Sequence, residues 1–386
     1  MAEQNTYQTR PIGKIGLIFP VLAGIGAVAF VSTAAGSHPE RAWQPYLINF
    51  LLWSGIAQGG LLFSAMMVVT RARWTGRLAG IAEAFAAFFP ISFALFLALF
   101  AGSTHIFPWL HEDLHGKELW LNLPFLFTRN AASLLLLYAA GFAYLYHARR
   151  LRRAGNDATN LLGRTRTFAY LYILLFALVL SLIGYDLVMA ADPHWISTLF
   201  GPYTFVKAVY TGFGALIILA ALIRMKEGDA SSLTDSQFHD LGKLFFAFCL
   251  LWGDFFYVQL VVIWYGNISE ETYYLIQRTL VSPWREMAWG VFIIGFVAPF
   301  LILLNRNIKT RPVPMIILCT IVIMTIWFEH LLLLAPALSH GATHLSLGAP
   351  DALITLGFFG LMASALTVYL NRFPEPSRPV EGGSNA

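Results

Sequence analysis

The sequence predicts an all-α polytopic membrane protein, and three observations support this fold class. Of the 386 residues, 58% are hydrophobic and only 12% are charged. A soluble domain carries about 25% charged residues to cover its surface, so lipid must cover most of this one. The mean hydropathy is +0.65. Apolar runs of roughly 20 residues, the length that spans a bilayer, also recur along the chain.

The apolar runs predict about ten transmembrane helices in one membrane domain over residues 1–371, followed by a polar tail at 372–386. No soluble domain fits between the runs. The runs lie at residues 15–35, 46–70, 79–101, 125–146, 167–189, 203–224, 243–264, 287–305, 313–334 and 352–371.

The first run could be mistaken for a cleaved signal peptide. Arg10 and Lys14 precede it, and the small residues at 33–36 resemble a cleavage site. We expect the run to be retained, because it is long enough to span the bilayer. The other nine runs keep their topology in either case.

Lysine and arginine positions predict the orientation. Most of the 25 basic residues lie in the connections on one side of the predicted bundle, which places that side in the cytoplasm. Both termini are therefore expected in the cytoplasm. The cluster Arg149–Arg153 is interpreted as a topology anchor, since nothing else in the chain favours nucleic-acid binding. The exceptions are Arg41, Lys117, Arg129, Lys207, Arg278 and Arg285.

The second half of the chain resembles the first, which predicts an internal repeat of about 46–189 and 203–334. Asp186 is followed seven residues later by Pro193, and Glu329 is followed seven residues later by Pro336. The repeat predicts two parallel four-helix bundles, made of helices two to five and six to nine. Helices one and ten would lie outside them.

Ionisable groups inside the hydrocarbon are costly and by default indicate a site or a pathway. Eight residues inside the predicted helices are candidates for a proton pathway or a quinone site. They are Asp186, Glu329, His330, Arg129, Arg285, Asp254, Gln58 and Glu83.

Counting 1.5 Å per residue from each helix end places most of these candidates in the outer third of the membrane. Asp254 and Gln58 are expected near the midplane, and Glu83 in the cytoplasmic half. Such a layer suits a quinol pocket, because a quinol needs a proton acceptor, and it equally suits part of a proton path. Ion pairs Arg129–Asp186 and Arg285–Glu329 that only fix the packing are the structural alternative.

Lys207 and Lys243 lie near helix ends, so we expect both to act as anchors whose side chains extend to the interface. The loop residues His111, Glu112, Asp113 and His115 are interpreted as a solvated surface rather than a metal site.

No redox centre is expected within this chain. Cys249 and Cys319 lie far apart and form no iron–sulfur or haem-attachment motif. Of ten histidines, only His330 lies well inside a predicted helix, so we do not expect a buried haem held by two histidines. No catalytic residue and no metal ligand is assigned, and any redox centre is expected on a partner.

Residues 255–272, FFYVQLVVIWYGNISEET, resemble a stretch of the F subunit (ActF) of bacterial alternative complex III, a quinol:cytochrome c oxidoreductase. That subunit belongs to the wider family of NrfD/PsrC-like membrane subunits. Residues 123–133 and the ten-helix plan are also similar to it. The resemblance extends over essentially the whole chain apart from the two tails.

The resemblance implies a multi-pass subunit of a respiratory complex in the bacterial inner membrane. Its implied partners are a sister membrane subunit of the same fold (ActC), an iron–sulfur and molybdopterin-like subunit, and multihaem cytochromes c. Haem c and iron–sulfur clusters would lie only on those partners. A menaquinone or ubiquinone is the implied small molecule, while proton conduction and assembly are the implied roles of the F subunit.

Two other functions remain open at this point. Ten helices with a repeat and buried charges are also typical of secondary transporters, although the helix interiors offer few interruptions apart from Pro20 and Pro90. A purely structural membrane anchor is the third reading.

Overall fold

The computed structural model describes residues 14–111, 114, 116–153, 158–193, 195–338 and 347–373. The described residues form helices joined by short connections and contain no β-strand. The predicted all-α class is therefore confirmed. The segment before residue 14 and the tail from 374 lie outside the described residues, and with them the expected cleavage context and most of the polar tail.

Nine described helices are long and apolar enough to cross a membrane, so the protein is a multi-pass membrane protein. Each predicted apolar run coincides with a helix, but the first is shorter than the others at 17 residues. In chain order the helices are α1 Ile18–Ala34, α2 Glu40–Val69, α3 Leu78–Ile106, α4 Leu123–Arg153, α5 Ala158–Leu187, α6 Phe200–Glu227, α7 Asp235–Gly266, α8 Trp284–Leu304, α9 Pro312–Leu338 and α10 Ala349–Arg372.

Several helices extend past their apolar part, because backbone hydrogen bonding continues into polar residues that hydropathy does not mark. Helix α7 begins at a capping box: the Thr234 hydroxyl accepts from the Gln237 N–H, and the Gln237 side chain accepts from the Thr234 N–H. It ends at Asn267, which adopts the left-handed conformation with φ 47°.

Two helices are more interrupted than the sequence indicated. In α3, a 3-10 segment at Glu83–Phe88 separates two α-helical stretches. In α8, Ile293–Val297 forms a π-helical turn, and the Tyr210 hydroxyl donates to the Gly295 carbonyl at 3.2 Å. The expectation of nearly uninterrupted helices is therefore wrong. Both interruptions bring irregular backbone into the buried interior.

Helices α2 to α5 pack around one another, and α6 to α9 do the same. The two groups meet mainly where α2 crosses α6. A Cβ on Gly212 would lie 2.5 Å from the carbonyl carbon of Gly59, so only glycine permits this crossing. Near the end of the molecule where the arginine-rich connections lie, called here the basic end, the Arg77 guanidinium bonds to both carboxylate oxygens of Glu227.

Helices α1 and α10 pack chiefly against each other, through Gly26 and Gly357, and α10 also contacts α2. The Asn49 amide of α2 donates to the Thr355 hydroxyl of α10 at 2.9 Å. Among the nine described helices long enough to cross a membrane, α7 and α8 are the least covered, with only 22% of their apolar window buried, against 72% for α6 and 78% for α2. The core of the molecule is therefore centred on α2 and α6.

Candidate functional site

Asp186 of α5 lies at the centre of a hydrogen-bonded group near the end of the molecule opposite the basic end. The Arg129 guanidinium of α4 donates to its two oxygens at 2.7 Å each. The Asn130 amide donates at 2.6 Å, and the Trp120 indole at 3.1 Å. We call these four residues the Asp186 cluster. The predicted pair Arg129–Asp186 is thus present.

The Asp186 carboxylate accepts four hydrogen bonds, which is about the full capacity of its lone pairs. Its side chain is fully buried, and that of Arg129 is 9% exposed. Arg129 also donates to the Trp120 carbonyl and lies 4.0 Å from the Trp120 ring centroid. An arginine keeps its charge in proteins, so this pair is a fixed structural connection between α4 and α5.

Glu329 of α9 lies in a different arrangement, called here the Glu329 cluster. Its Oε1 accepts from the Lys207 ammonium at 3.0 Å and from the Tyr203 hydroxyl, both on α6. Its Oε2 is buried and has no hydrogen-bond partner among the described residues. Lys207 is 3% exposed. The Glu329 carboxyl group therefore has one oxygen that is free to form a further hydrogen bond. Its partner cation, Lys207, can lose a proton.

Two expectations about these residues are wrong. Glu329 does not pair with Arg285; instead, Arg285 bonds to its neighbour Glu286 at 2.6 Å, and both side chains are 52% exposed. Lys207 is not an interfacial anchor but the buried partner of Glu329. Distance along a helix predicts depth but not which way a side chain faces, and α8 turns Arg285 away from the core. Lys243 is 56% exposed and pairs with Asp240.

A small enclosed cavity lies between the two bundles next to the Glu329 cluster. Its volume is about 30 Å³. Its polar lining comes from both bundles: Ser54, Gln58, Tyr138, Thr204, Lys207, Thr211 and His330. This volume has room for about two water molecules and none for a quinone ring. The cavity therefore suits water and protons rather than an organic ligand.

Gln58 and His330 both border this cavity. The Gln58 side-chain oxygen accepts from the Tyr172 hydroxyl at 2.7 Å, while its buried Nε2 has no hydrogen-bond partner within the part of the chain that the structure describes. His330 contacts the Ile326 carbonyl through Nδ1 at 2.8 Å. A buried amide without a partner is costly, and a water in the adjoining cavity would satisfy it.

A chain of hydroxyl groups borders the same cavity. Ser54 of α2 and Ser92 of α3 are 2.6 Å apart, and the Ser92 hydroxyl lies 2.8 Å from that of Tyr138. A hydroxyl both donates and accepts, so such a chain can reorient to pass a proton.

Glu83 lies toward the basic end, fully buried at the start of the 3-10 segment of α3. The Arg152 guanidinium bonds to both of its oxygens, and the Ser64 hydroxyl donates to it at 3.3 Å. Ser64 lies 2.7 Å from the Tyr144 hydroxyl. We call these residues the Glu83 cluster. The Arg152 side chain is 39% exposed, so one member of the expected topology anchor also reaches inward to a buried acid.

Tyrosine rings lie between the cavity and the Glu83 cluster. Tyr172, which bonds to Gln58, stacks on Tyr144 with ring centroids 6.5 Å apart. Ser64 is six residues beyond Gln58 on α2, about 9 Å along the axis. Polar groups therefore run from the Glu329 cluster through the cavity to the basic end, nearly all of them on α2, α6 and their neighbours.

Asp254 of α7 does not join this series. Its side chain is exposed, and it has no ion pair or hydrogen bond among the described residues. It lies midway along a helix whose surface is mostly uncovered. A carboxylate facing hydrocarbon at that depth costs about 2.5–3.5 kcal/mol or more. Asp254 therefore stays a predicted proton-pathway or quinone-site residue, and no described contact joins it to the other candidates.

A larger cavity lies beside the Asp186 cluster at the end opposite the basic end. Its volume is about 380 Å³, in the range of ligand pockets. Its lining includes Lys117, Trp120, Tyr185, Met189, Trp195 and Ile196. None of the predicted candidates lines it, although Trp120 connects it to Asp186 by a hydrogen bond.

Sequence reasoning missed several of the buried polar residues. Arg278, on the short helix Ser269–Thr279, is 3% exposed and donates to the Tyr274 and Leu333 carbonyls. Burial lowers its pKa. Lys207 could have been found from spacing: Tyr203, Lys207 and Thr211 recur every four residues on one face of α6.

Among the described residues, no three histidine, cysteine, aspartate or glutamate side chains lie together in a metal-binding arrangement. The loop His111, Glu112, Asp113 and His115 lies outside the described side chains. No family model matches this chain, and no curated protein matches it either.

Proposed function

We propose that this chain is a membrane subunit of a quinol-oxidising electron-transfer complex and that it conducts protons between Glu329 and the basic end. One observation carries the proposal. Buried polar groups lie in series between two buried acids: Glu329, whose Oε2 has no hydrogen-bond partner among the described residues, a water-sized polar cavity, the stacked rings of Tyr172 and Tyr144, and finally Glu83. Chains of acids and hydroxyl groups are typical of proton pathways in membranes.

The route has three steps. Glu329 exchanges a proton with Lys207, which lines the cavity. Water in the cavity carries the proton to Gln58 and the Tyr172 hydroxyl. The Tyr144 and Ser64 hydroxyls then connect to Glu83, whose partner Arg152 is accessible at the basic end. The Oε2 atom of Glu329 has no hydrogen-bond partner among the described residues. It can therefore hold the proton without the loss of an existing hydrogen bond.

The quinol part of the proposal rests on the resemblance to NrfD/PsrC-like subunits and on cavity size. The 30 Å³ cavity excludes a quinone ring, whereas the 380 Å³ cavity beside Trp120 and Tyr185 has room for one. If this chain itself holds quinol, that larger cavity is the place we assign. Electrons would pass to haem c and iron–sulfur partners, because no redox centre is assigned here.

Asp254 supports assembly with a second membrane subunit rather than a chain that works alone. Its exposed carboxylate at mid-membrane depth would be stabilised by a basic or amide side chain of a neighbouring helix. Helices α7 and α8 also have the smallest buried share among the nine described helices of membrane length. We place the chain in the bacterial inner membrane with both termini in the cytoplasm, which makes the basic end the cytoplasmic end.

The test uses the complex purified from native membranes and reconstituted in liposomes. Replacing Glu329→Gln should lower proton movement during quinol oxidation by about tenfold or more. The matched control Glu286→Gln alters an exposed carboxylate on α8 and should change nothing. Unchanged proton movement in E329Q would refute the pathway. A complex that contains neither haem c nor iron–sulfur clusters would refute the oxidoreductase assignment.

A secondary transporter is the second candidate, favoured by the interrupted helices α3 and α8. The central cavity is too small for an organic substrate, so only an ion or a proton could be carried there. Substrate uptake by the purified chain alone in liposomes would support this reading instead. A purely structural anchor would leave both uptake and proton movement unchanged in every variant above.

A further inference from the structure

A third cavity lies at the basic end, against the last turns of α4 and the end of α10. Its volume is about 330 Å³. Its lining combines arginines with apolar and aromatic groups: Phe142, Tyr146, Arg149, Arg150, Arg153 and Phe373. No step of the proton route uses any of them, so this cavity is separate from the proposed pathway.

Two arginines of this cavity, Arg149 and Arg150, place positive charge close together. Arg152, on the same turn, bonds to Glu83. Arg149 and Arg150 have no acidic partner among the described residues: Arg150 bonds to the Tyr146 hydroxyl at 3.2 Å, and Arg149 contacts aromatic rings. The cavity therefore presents two guanidinium groups that form no ion pair with a carboxylate of the described residues.

Aromatic groups hold these guanidinium groups in place. The Arg149 guanidinium carbon lies 3.4 Å from the Phe373 ring centroid and 5.7 Å from that of Tyr369. That of Arg150 lies 5.5 Å from the Tyr146 ring. Such stacking leaves the in-plane N–H groups able to donate, and arginine donates in pairs to phosphate oxygens.

The apolar wall extends from the arginines toward the middle of the membrane. Phe142 is 41% exposed and Tyr146 is 57% exposed. Phe142 lies seven residues before Arg149 on α4, about 10 Å along the helix axis. The site thus has cationic groups at the membrane surface and an aromatic wall directly below them.

We propose that this cavity binds the headgroup of an anionic phospholipid, with an acyl chain along Phe142 and Tyr146. A phosphodiester would accept from Arg149 and Arg150, and the hydrocarbon tail would cover the exposed rings. A soluble phosphate offers the same anion but leaves the aromatic wall uncovered, so the lipid is the occupant that fits both parts. A topology signal needs the charges alone and neither the cavity nor the rings.

The first experiment measures lipid binding to the full-length protein in a neutral detergent by native mass spectrometry. Phosphatidylglycerol should bind more tightly than phosphatidylcholine with the same tails. The double substitution R149Q/R150Q should weaken phosphatidylglycerol binding by about 30-fold. Each cation near the membrane surface raises the affinity for an anionic lipid by a factor of about five or somewhat more. The matched control R306Q/R311Q removes two exposed charges from another loop at the basic end and should bind as the unaltered protein does.

Equal losses in the two double variants would refute the site, because they would indicate a general charge effect. Inorganic phosphate that competes as well as phosphatidylglycerol would refute a lipid occupant. If R149Q/R150Q does not fold, the unaltered protein is photolabelled with a photoreactive phosphatidylglycerol, and the labelled residues are identified. Labelling concentrated within 142–153 and at Phe373 supports the proposal, and labelling spread over all lipid-facing helices contradicts it.

Discussion

Two buried acids occupy corresponding positions in the two halves of the chain, and their surroundings differ. Asp186 and Glu329 each lie seven residues before a proline near the end opposite the basic end. Asp186 accepts four hydrogen bonds and pairs with an arginine. Glu329 pairs with a lysine and keeps one oxygen without a partner. At corresponding positions, the Asp186 carboxylate therefore has all its hydrogen bonds made and serves a structural role. The Glu329 carboxyl group has an oxygen to spare and a partner with which it can exchange a proton.

The difference follows from the chemistry of the two cations. An arginine cannot give up its proton in a protein, so the buried Arg129 guanidinium remains a cation and needs the hydrogen bonds of the Asp186 side chain. A buried lysine can become neutral, so the Lys207–Glu329 pair can exist with its proton on either partner. Lys207 also lines the small polar cavity, whereas neither Asp186 nor Arg129 lines the larger cavity beside their cluster.

The largest effect on stability is expected for Asp186→Asn. It would leave the Arg129 charge buried and unpaired, which costs about 3–5 kcal/mol. Thermal unfolding in detergent should show a large drop in Tm, and yield should fall. An Asp186→Asn protein as stable as the unaltered one would contradict the structural role of this pair.

A smaller loss of stability is expected for Glu329→Gln, about 1–2 kcal/mol, because Lys207 can neutralise itself instead of staying charged. The same unfolding measurement tests both acids side by side. The comparison between the clusters fails if E329Q is destabilised as strongly as D186N.

Lys207→Arg tests directly whether the cation causes the difference between the two clusters. It replaces the lysine beside Glu329 with an arginine, the residue that pairs with Asp186. A permanent cation would hold Glu329 in its charged form, so stability should change by less than about 1.5 kcal/mol if the cavity accepts the larger group. Proton movement should fall to the level of E329Q. Retained proton movement in K207R would show that the lysine takes no part.

The smallest effect on stability is expected for Glu83→Gln. Its partner Arg152 is 39% exposed and can turn to water, so the loss should be about 0–1 kcal/mol. Proton movement should nevertheless decrease, because Glu83 ends the route at the basic end. A large destabilisation would instead indicate that Glu83 mainly fixes α3 against α4.

The sequence predicted the helices well and the contacts between them poorly. Hydropathy located every run, for example 203–224 within Phe200–Glu227, because the apolar length of a span is set by the bilayer. It missed polar extensions such as that of α4 to Arg153, which lie outside the hydrocarbon.

Side-chain pairing depends on how each helix is rotated, and rotation is set by packing rather than by hydropathy. The pair Arg129–Asp186 was predicted, but Arg285–Glu329 was not found, because α8 is held at the periphery with Arg285 exposed. Arg152 pairs with Glu83, although the composition of the cluster Arg149–Arg153 indicated only the orientation of the chain in the membrane. A long arginine side chain can extend across a helical turn, and spacing along the sequence does not show with which acidic residue it will pair.

Of the two buried acids, Glu329 and not Asp186 is expected to exchange protons. Infrared difference spectroscopy of the carboxyl C=O stretch during a pH change observes this exchange. A band from a protonating carboxyl group should be present in the unaltered protein and in E286Q, and it should be lost in E329Q. A band that persists in E329Q would show that another carboxyl group, and not Glu329, takes up the proton.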